Sequence, residues 1–259
     1  FWTKIVHFGT SPIDQEKEME RKTFFDLMIE YGKEINITFT EEQLQQFYQY
    51  MQLLIEWNEK INLTAIVEPK EIILKHFIDS LTILKYINKE QTLIDIGTGA
   101  GFPGIPIRIM RQDIEITLLD SLNKRINFLE EVIQQLNLKK IHAVHARIEE
   151  YGKNRKYRES YDIATSRAVA NLTTLSEYML PMVKVGGISI CMKGSEIEEE
   201  FLKSQKAIDI LGGNIQKVDT FTLPKSDNKR NVIIVEKKKS TPSKFPRKPG
   251  TPSKEPLYN

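Results

Sequence analysis

The stretch Asp95-Ile96-Gly97-Thr98-Gly99-Ala100-Gly101-Phe102-Pro103-Gly104 decides the fold. It follows Leu93-Ile-Asp-Ile96, which reads as a strand, and opens a Pro-started helix to about Met110. A glycine-rich turn at that point lets a ligand come close to the backbone and aims helix N–H groups at it. Two registers fit. Gly99, Gly101 and Gly104 match the dinucleotide pattern G-x-G-x-x-G. Asp95, Gly97, Gly99 and Gly101 match D-x-G-x-G-x-G, the pattern of Rossmann-like methyltransferases. The strand ends at Ile96, so the tight turn starts at Gly97, which favours the second. An acidic residue at the strand end also suits a sulfonium ligand with an amino group better than a pyrophosphate.

Outward from this turn, apolar runs alternate with amphipathic segments. Strands are expected at Ile114 to Asp120, Ile141 to His145, Tyr161 to Ser166 and Gly187 to Met192. Helices fall between them at Asn123 to Leu136, Leu172 to Val183 and Glu196 to Leu211. Two last strands, about 215–223 and 232–236, have no helix between them and should form an antiparallel edge. This is an α/β fold: a seven-stranded, mostly parallel sheet covered on both faces, spanning residues 90–236. Residues 19–89 read as helices packed on that core. Thr40 and Gln43 form a capping box, Leu44, Phe47, Tyr48, Met51, Leu54 and Ile55 share one helical face, and Pro69 opens a second helix to about Tyr86.

The ends differ from the body. Residues 1–18 have little periodicity, and Met19 reads as a start, so they are expected to be a disordered leader or upstream extension. Residues 237–259 (KKKSTPSKFPRKPGTPSKEPLYN) have almost no aliphatics and are expected to be a disordered basic tail. The chain of 259 residues carries 37 Lys and Arg against 35 Asp and Glu, a net charge of +2. The tail holds seven of the bases and one acid, +6, which leaves thirty bases and thirty-four acids elsewhere, −4. A near-neutral sum thus hides a basic arm suited to phosphate contact. One cysteine excludes a disulfide framework and a Cys-based zinc site and fits a cytoplasmic, reducing setting. No apolar run is long enough to span a membrane.

Asp120, at the end of the second strand, stands where a carboxylate meets the ribose hydroxyls of an adenosine ligand, or where it caps the next helix. His76 and Asp79 lie on one helical face, either shaping a pocket or locking the helix to the core. They lack the further ligands a metal site needs, and no metal is expected. Cys191, in an apolar strand, reads as a structural thiol. His142, His145, Trp57, Asn58 and Asn62 read as structural or turn residues. Basic candidates for RNA are the loop 152–158, Arg108, Arg111, Lys124, Arg125 and the tail.

The segments WNEKINLT (57–64), LKHFIDSL (74–81), DIGTGAGFPGIP (95–106), LLDSLNKRINFLEE (118–131), RIEE (147–150) and SRAVA (166–170) closely resemble the bacterial RsmG (GidB) methyltransferases. The resemblance covers about Thr23 to Lys237. It implies transfer of a methyl group from S-adenosyl-L-methionine, leaving S-adenosyl-L-homocysteine, to guanine N7 in the decoding-region hairpin of 16S rRNA. It places Gly97 and Phe102 in the cofactor pocket, Ile148 and Glu149 beside the adenine, and Arg167 between cofactor and target base. Asp95, Gly99, Gly101, Asp120 and Ser121 complete the cofactor set, and His76 and Asp79 join Arg167 at the active-site mouth. The partner is 16S rRNA or the small ribosomal subunit, and a monomer is expected. The rivals are an NAD(P)-dependent oxidoreductase in the other glycine register and a non-catalytic RNA-binding protein of ribosome assembly.

Overall fold

A computed structural model describes residues 12–257. Helix α1 (Pro12–Glu34) precedes the capping box and is an element that the sequence pattern did not reveal. Its apolar stripe is thin, with Phe24, Met28 and Tyr31 buried and charged residues around them. The leader expected over 1–18 lies outside the described residues up to 11; from Pro12 the chain is helical. Helix α2 (Glu41–Ile61) starts at the expected cap: Thr40 Oγ1 accepts from Gln43 N–H, and Gln43 Oε1 accepts from Thr40 N–H. It runs past Trp57 because Asn62, in the left-handed region at φ 48°, is the residue that ends it. The helix opened by Pro69 is broken into types: α3 (Pro69–Ile72) passes into a π-helical turn (Ile73–Ile78), then α4 (Asp79–Leu81).

The strands are β1 (Thr92–Ile96), β2 (Glu115–Asp120), β3 (Ile141–His145), β4 (Tyr161–Arg167), β5 (Val183–Lys193), β6 (Gly213–Thr222) and β7 (Lys229–Lys237). They form one sheet in the order β3-β2-β1-β4-β5-β7-β6. The first five are parallel, and β7 inserts antiparallel between β5 and β6. Chain order reverses between β1 and β4, so the crevice outside their carboxyl ends is where an open α/β sheet takes a ligand. Helices α5 (Gly104–Met110), α6 (Asn123–Gln135), α7 (Ile148–Lys153), α8 (Leu172–Met179) and α9 (Glu198–Ile210) connect the strands. One apolar cluster joins α1 to α4 with α5, α6 and one sheet face; another lies under α7, α8 and α9.

The tail departs from expectation. Its described part, residues 238–257, is not a free arm but lies against α7 and α8, ending in a short helix α10 (Thr251–Lys254). Lys237 is fully buried and donates to Leu180 O, Val183 O and Glu159. Phe245 and Pro252 are buried, and Arg247 forms several hydrogen bonds with Glu177, itself 1% exposed. Low aliphatic content misleads here because aliphatic burial is not what orders this segment. It is held by one aromatic ring, prolines and charge-assisted bonds to carboxylates on the core.

Candidate active site

The glycine turn is tied down at both ends. Gly97 and Thr98 N–H donate to Leu119 O, pinning the turn to the end of β2. Asp95 Oδ2 accepts from Thr98 Oγ1 (2.6 Å) and from Gly104 N–H (2.8 Å), so one buried carboxylate spans the turn from strand to helix. Asp95 Oδ1 is buried with no partner, and burial pushes the Asp95 carboxyl up to about 6. Tyr50 of α2 donates to Ala100 O and packs at a tilt against Phe102, bracing the turn from the helical side.

Space around the glycines differs. A Cβ on Gly97 (φ 65°) would stand 2.6 Å from Val169 Cγ2, whereas one on Gly99 (φ 62°) would meet nothing within 4 Å. Gly99 therefore borders the open side of the turn. Its N–H donates to Asp120 Oδ2 (3.0 Å), which also meets Arg125, while Asp120 Oδ1 accepts from Leu122 N–H. Asp120 thus supports the helix entry as well as facing the turn; the cap itself is Leu122, without a side-chain bond. Ala146 N–H donates to Asp120 O, which ties the entry to α7, with Ile148 and Glu149 in its first turn, to the end of β2. The Glu149 side chain turns away and accepts from Gly250 N–H of the tail (2.8 Å). Ser121 is exposed at the rim.

A second network lies on the other side of Phe102. The Phe102 ring stacks on His76 (4.4 Å between centroids, 15°) and lies 5.0 Å from the Arg167 guanidinium. Arg167 Nη1 donates to Asp79 Oδ2 (3.0 Å) and to Lys75 O, and Nη2 lies 3.2 Å from His76 Nδ1. Arginine can only donate, so Nδ1 carries the lone pair and the proton sits on Nε2, which donates to Thr64 Oγ1 (2.9 Å). Thr64 is held in turn by Asn58 Oδ1, so Asn58 supplies turn chemistry to the site. Burial and then the Arg167 charge push the His76 imidazole down to about 3, and it stays neutral at physiological pH. Arg230 at the start of β7 donates to Asp79 Oδ1 (3.1 Å). Asp79, 3% exposed, therefore joins two arginines.

His76, Asp79, Arg167 and Arg230 line a cleft of about 410 Å³ with Ile66, Lys75, Ala168, Lys193 and Gly194. Four cations, Lys75, Arg167, Lys193 and Arg230, line it, paired with Glu71, with Glu200 and, for the two arginines, with Asp79 alone. Arg230, Lys193, Thr64 and Tyr50 were not singled out in the sequence. Thr64 stood inside the segment WNEKINLT; Arg230 and Lys193 carry no local signal, because only the sheet order brings them here. Other expectations narrow: Arg108 and Arg111 bond backbone carbonyls, Arg125 meets Asp120, and Arg158 donates to Thr241 O and Phe245 O. None of these four is a free cation for RNA. Cys191 is buried, its thiol pushed up to about 12, the state of an inert core residue. Among the described residues no His, Cys, Asp and Glu group could hold a metal ion, and no helix is long and apolar enough to cross a membrane.

The turn fits S-adenosylmethionine on the chemistry of its donors. Asp95 keeps a buried acceptor without a partner, Gly99 opens on free space, and Asp120 stands one strand away where a ribose diol would be met. A pyrophosphate fits the turn less well, since the buried Asp95 carboxylate would face its charge.

Comparison with known proteins agrees. A family described as "GidB: rRNA small subunit methyltransferase G" matches residues 43–233. The chain is 48% identical over 238 residues to the ribosomal RNA small subunit methyltransferase G of Clostridium novyi (strain NT), covering 91% of this chain and 98% of that protein. It is 53% identical over 243 residues to the protein of the same name from Acetivibrio thermocellus, covering 93% and 99%. Among solved structures, a Bacillus halodurans C-125 protein described provisionally as a methyltransferase superposes with a TM-score of 0.50 at 10% identity, over 62% of this chain and 99% of that one, a likeness of fold alone. The chain belongs to the GidB family of rRNA small subunit methyltransferases.

Proposed function

We propose that this protein transfers a methyl group from S-adenosylmethionine to N7 of a guanosine in the decoding-region hairpin of 16S rRNA. The observation that carries the reading is the wall formed by Phe102, His76 and Arg167, with the glycine turn on one side and the cationic cleft on the other. When bound, S-adenosylmethionine supplies a methyl group on a positively charged sulfur. Asp95, Gly97, Gly99, Gly101, Asp120 and the backbone at Ile148 and Glu149 would hold it; Ser121 would border its ribose.

Guanine N7 has an exposed lone pair and no proton, so this chain needs no general base. Its task is alignment, exclusion of water and management of charge. Methylation at N7 leaves the purine cationic. A neutral His76 and an Arg167 paired with Asp79 keep the wall from opposing that charge, while the Phe102 face favours it. Arg230, which shares Asp79 with Arg167, and Lys75 and Lys193, paired with Glu71 and Glu200, would turn to the phosphates flanking a guanosine extruded into the cleft. The substrate is 16S rRNA, free or within the small subunit, and the protein acts as a cytoplasmic monomer.

Calorimetry with S-adenosylhomocysteine and with NAD tests the cofactor. Binding of NAD alone would overturn the reading in favour of an oxidoreductase. Mass spectrometry of 16S rRNA from cells lacking the protein should show loss of one methylated guanosine, restored by the intact chain and not by Gly97→Asp. Restored ribosome assembly by Gly97→Asp, with no methyl group added by either form, would favour a non-catalytic assembly factor.

A further inference from the structure

Residues 241–253 are held largely by the segment that begins beside Asp120 and by the helix packed against it. The path climbs from the far edge of the sheet. Thr241 meets Leu211 O and Glu159; the carbonyls of Thr241 and Phe245 accept from Arg158; Pro246 lies against Gly152 of α7. Arg247 then clamps Glu177 of α8 through its backbone N–H, Nε and Nη2. Gly250, in the left-handed region at φ 81°, donates its N–H to Glu149 Oε1, and Pro252 O and Ser253 Oγ bond Thr174 and Tyr178. Glu149 is 7% exposed, so this bond satisfies a carboxylate that water scarcely reaches. Glu149 is the second residue of a helix of six residues, too short to hold its own place.

We propose that the C-terminal segment is a positioning element of the methyl-donor site: Arg247 anchors it, and Gly250 N–H, by fixing Glu149, sets the first turn of α7 against Asp120. This rests on the reading that the donor lies between the glycine turn and α7. The backbone carbonyl of Asp120 receives Ala146 N–H, so the entry to α7 is tied to the strand end that carries that carboxylate. The segment is then a strap on the enzyme and not, in this part, an arm reaching for RNA. Three of its seven basic residues are already paired, Lys237 buried on Glu159 and backbone carbonyls, Lys238 on Glu236 and Arg247 on Glu177.

The test uses the full-length chain with Arg247→Ala and Arg247→Lys, and a chain ending after Lys248, each titrated with S-adenosylhomocysteine and followed by hydrogen exchange at residues 147–153 and 41–61. Arg247→Ala and the shortened chain should bind roughly tenfold more weakly, the effect of one charge-assisted bond, with Arg247→Lys between them and the intact chain. Exchange should quicken in 147–153 and stay unchanged in 41–61. Affinity within about twofold of the intact chain overturns the proposal, as does quickened exchange in both segments, which would make the strap a general staple of the fold. If the intact chain fails to bind S-adenosylhomocysteine, the donor reading itself falls and the proposal with it; unchanged donor affinity with weakened RNA binding returns the segment to the role of an RNA arm.

Discussion

Gly97 and Gly99 share a backbone conformation but not a neighbourhood, and substitution should separate them. At Gly97 an added methyl group is driven into Val169, and at Gly99 it points to open space. Gly97→Ala should lower the melting temperature and S-adenosylhomocysteine affinity together, because the turn itself is displaced. Gly99→Ala meets only the cost of a left-handed alanine, roughly 1–2 kcal/mol, while losing donor affinity by about tenfold or more. Equal loss of stability in the two would refute the distinction. His76 gives a second prediction at this scale. Its folded value of about 3 lies below the ordinary 6.5, so between those limits the unfolded chain binds one more proton. Stability must rise with pH there and is lost as pH falls. Asp95, raised to about 6, opposes this between about 4 and 6, where the folded chain holds its proton. Urea unfolding of His76→Asn should show a shallower fall in stability from pH 6.5 to 4 than the parent. The glycines, Asp95 and Asp120 were legible because turn geometry demands residue types at fixed spacing. The state of His76 was not, since its lone pair is committed by an arginine 91 residues away.

At the scale of elements, the π-helical turn at 73–78 and the antiparallel β7 together make the cleft. The π turn puts the backbone ladder out of step, and within it Lys75 O accepts from Arg167 while His76 and Asp79 face the same guanidinium. β7 starts where β5 ends, with Asn231 opposite Lys193, so Arg230 arrives at the site edge from the far end of the chain. Arg230→Ala should raise the KM for RNA roughly tenfold and leave S-adenosylhomocysteine affinity unchanged, as steady-state kinetics and calorimetry will show. Asp79→Ala should do more harm, leaving two arginines uncompensated in a mostly buried place, and should cost about 3–5 kcal/mol of stability by chemical unfolding. The strands, the antiparallel edge and the α2 cap could be read from periodicity and capping chemistry; the order in which the strands lie was not in the pattern. The π turn could not, because no residue in ILKHFI forbids an ordinary helix. Nor could α1, whose buried stripe is only a few residues deep.

For the whole molecule, the division into an acidic body and a basic arm holds in charge but not in shape. The arm is folded on the body, yet Lys239, Lys244, Lys248 and Lys254 stay exposed, as do Lys153, Arg155 and Lys156 nearby. Replacing Lys244, Lys248 and Lys254 by Gln should flatten the salt dependence of RNA binding, by about 0.7 in slope for each phosphate no longer neutralised, while sparing donor affinity. Filter binding over a salt series measures this. An unchanged slope would remove these lysines from the RNA footprint. Removing residues 237–259 entirely is a different experiment, since it also withdraws Lys237 from beneath Leu180 and Arg247 from Glu177. Stability and donor affinity should then fall along with RNA binding.

The hairpin that returns β7 to the site edge has a consequence for how this enzyme can be altered. The proposed donor cradle draws on the stretch Asp95 to Glu149, whereas the outer wall of the cleft is contributed by Arg230, next to the 223–228 turn, whose Lys225 reaches Glu30 and Glu34 of α1. Changing the turn should retune which RNA is admitted without disturbing how the methyl donor is loaded. Loading and admission are thus two exchangeable modules that meet at a single aromatic ring.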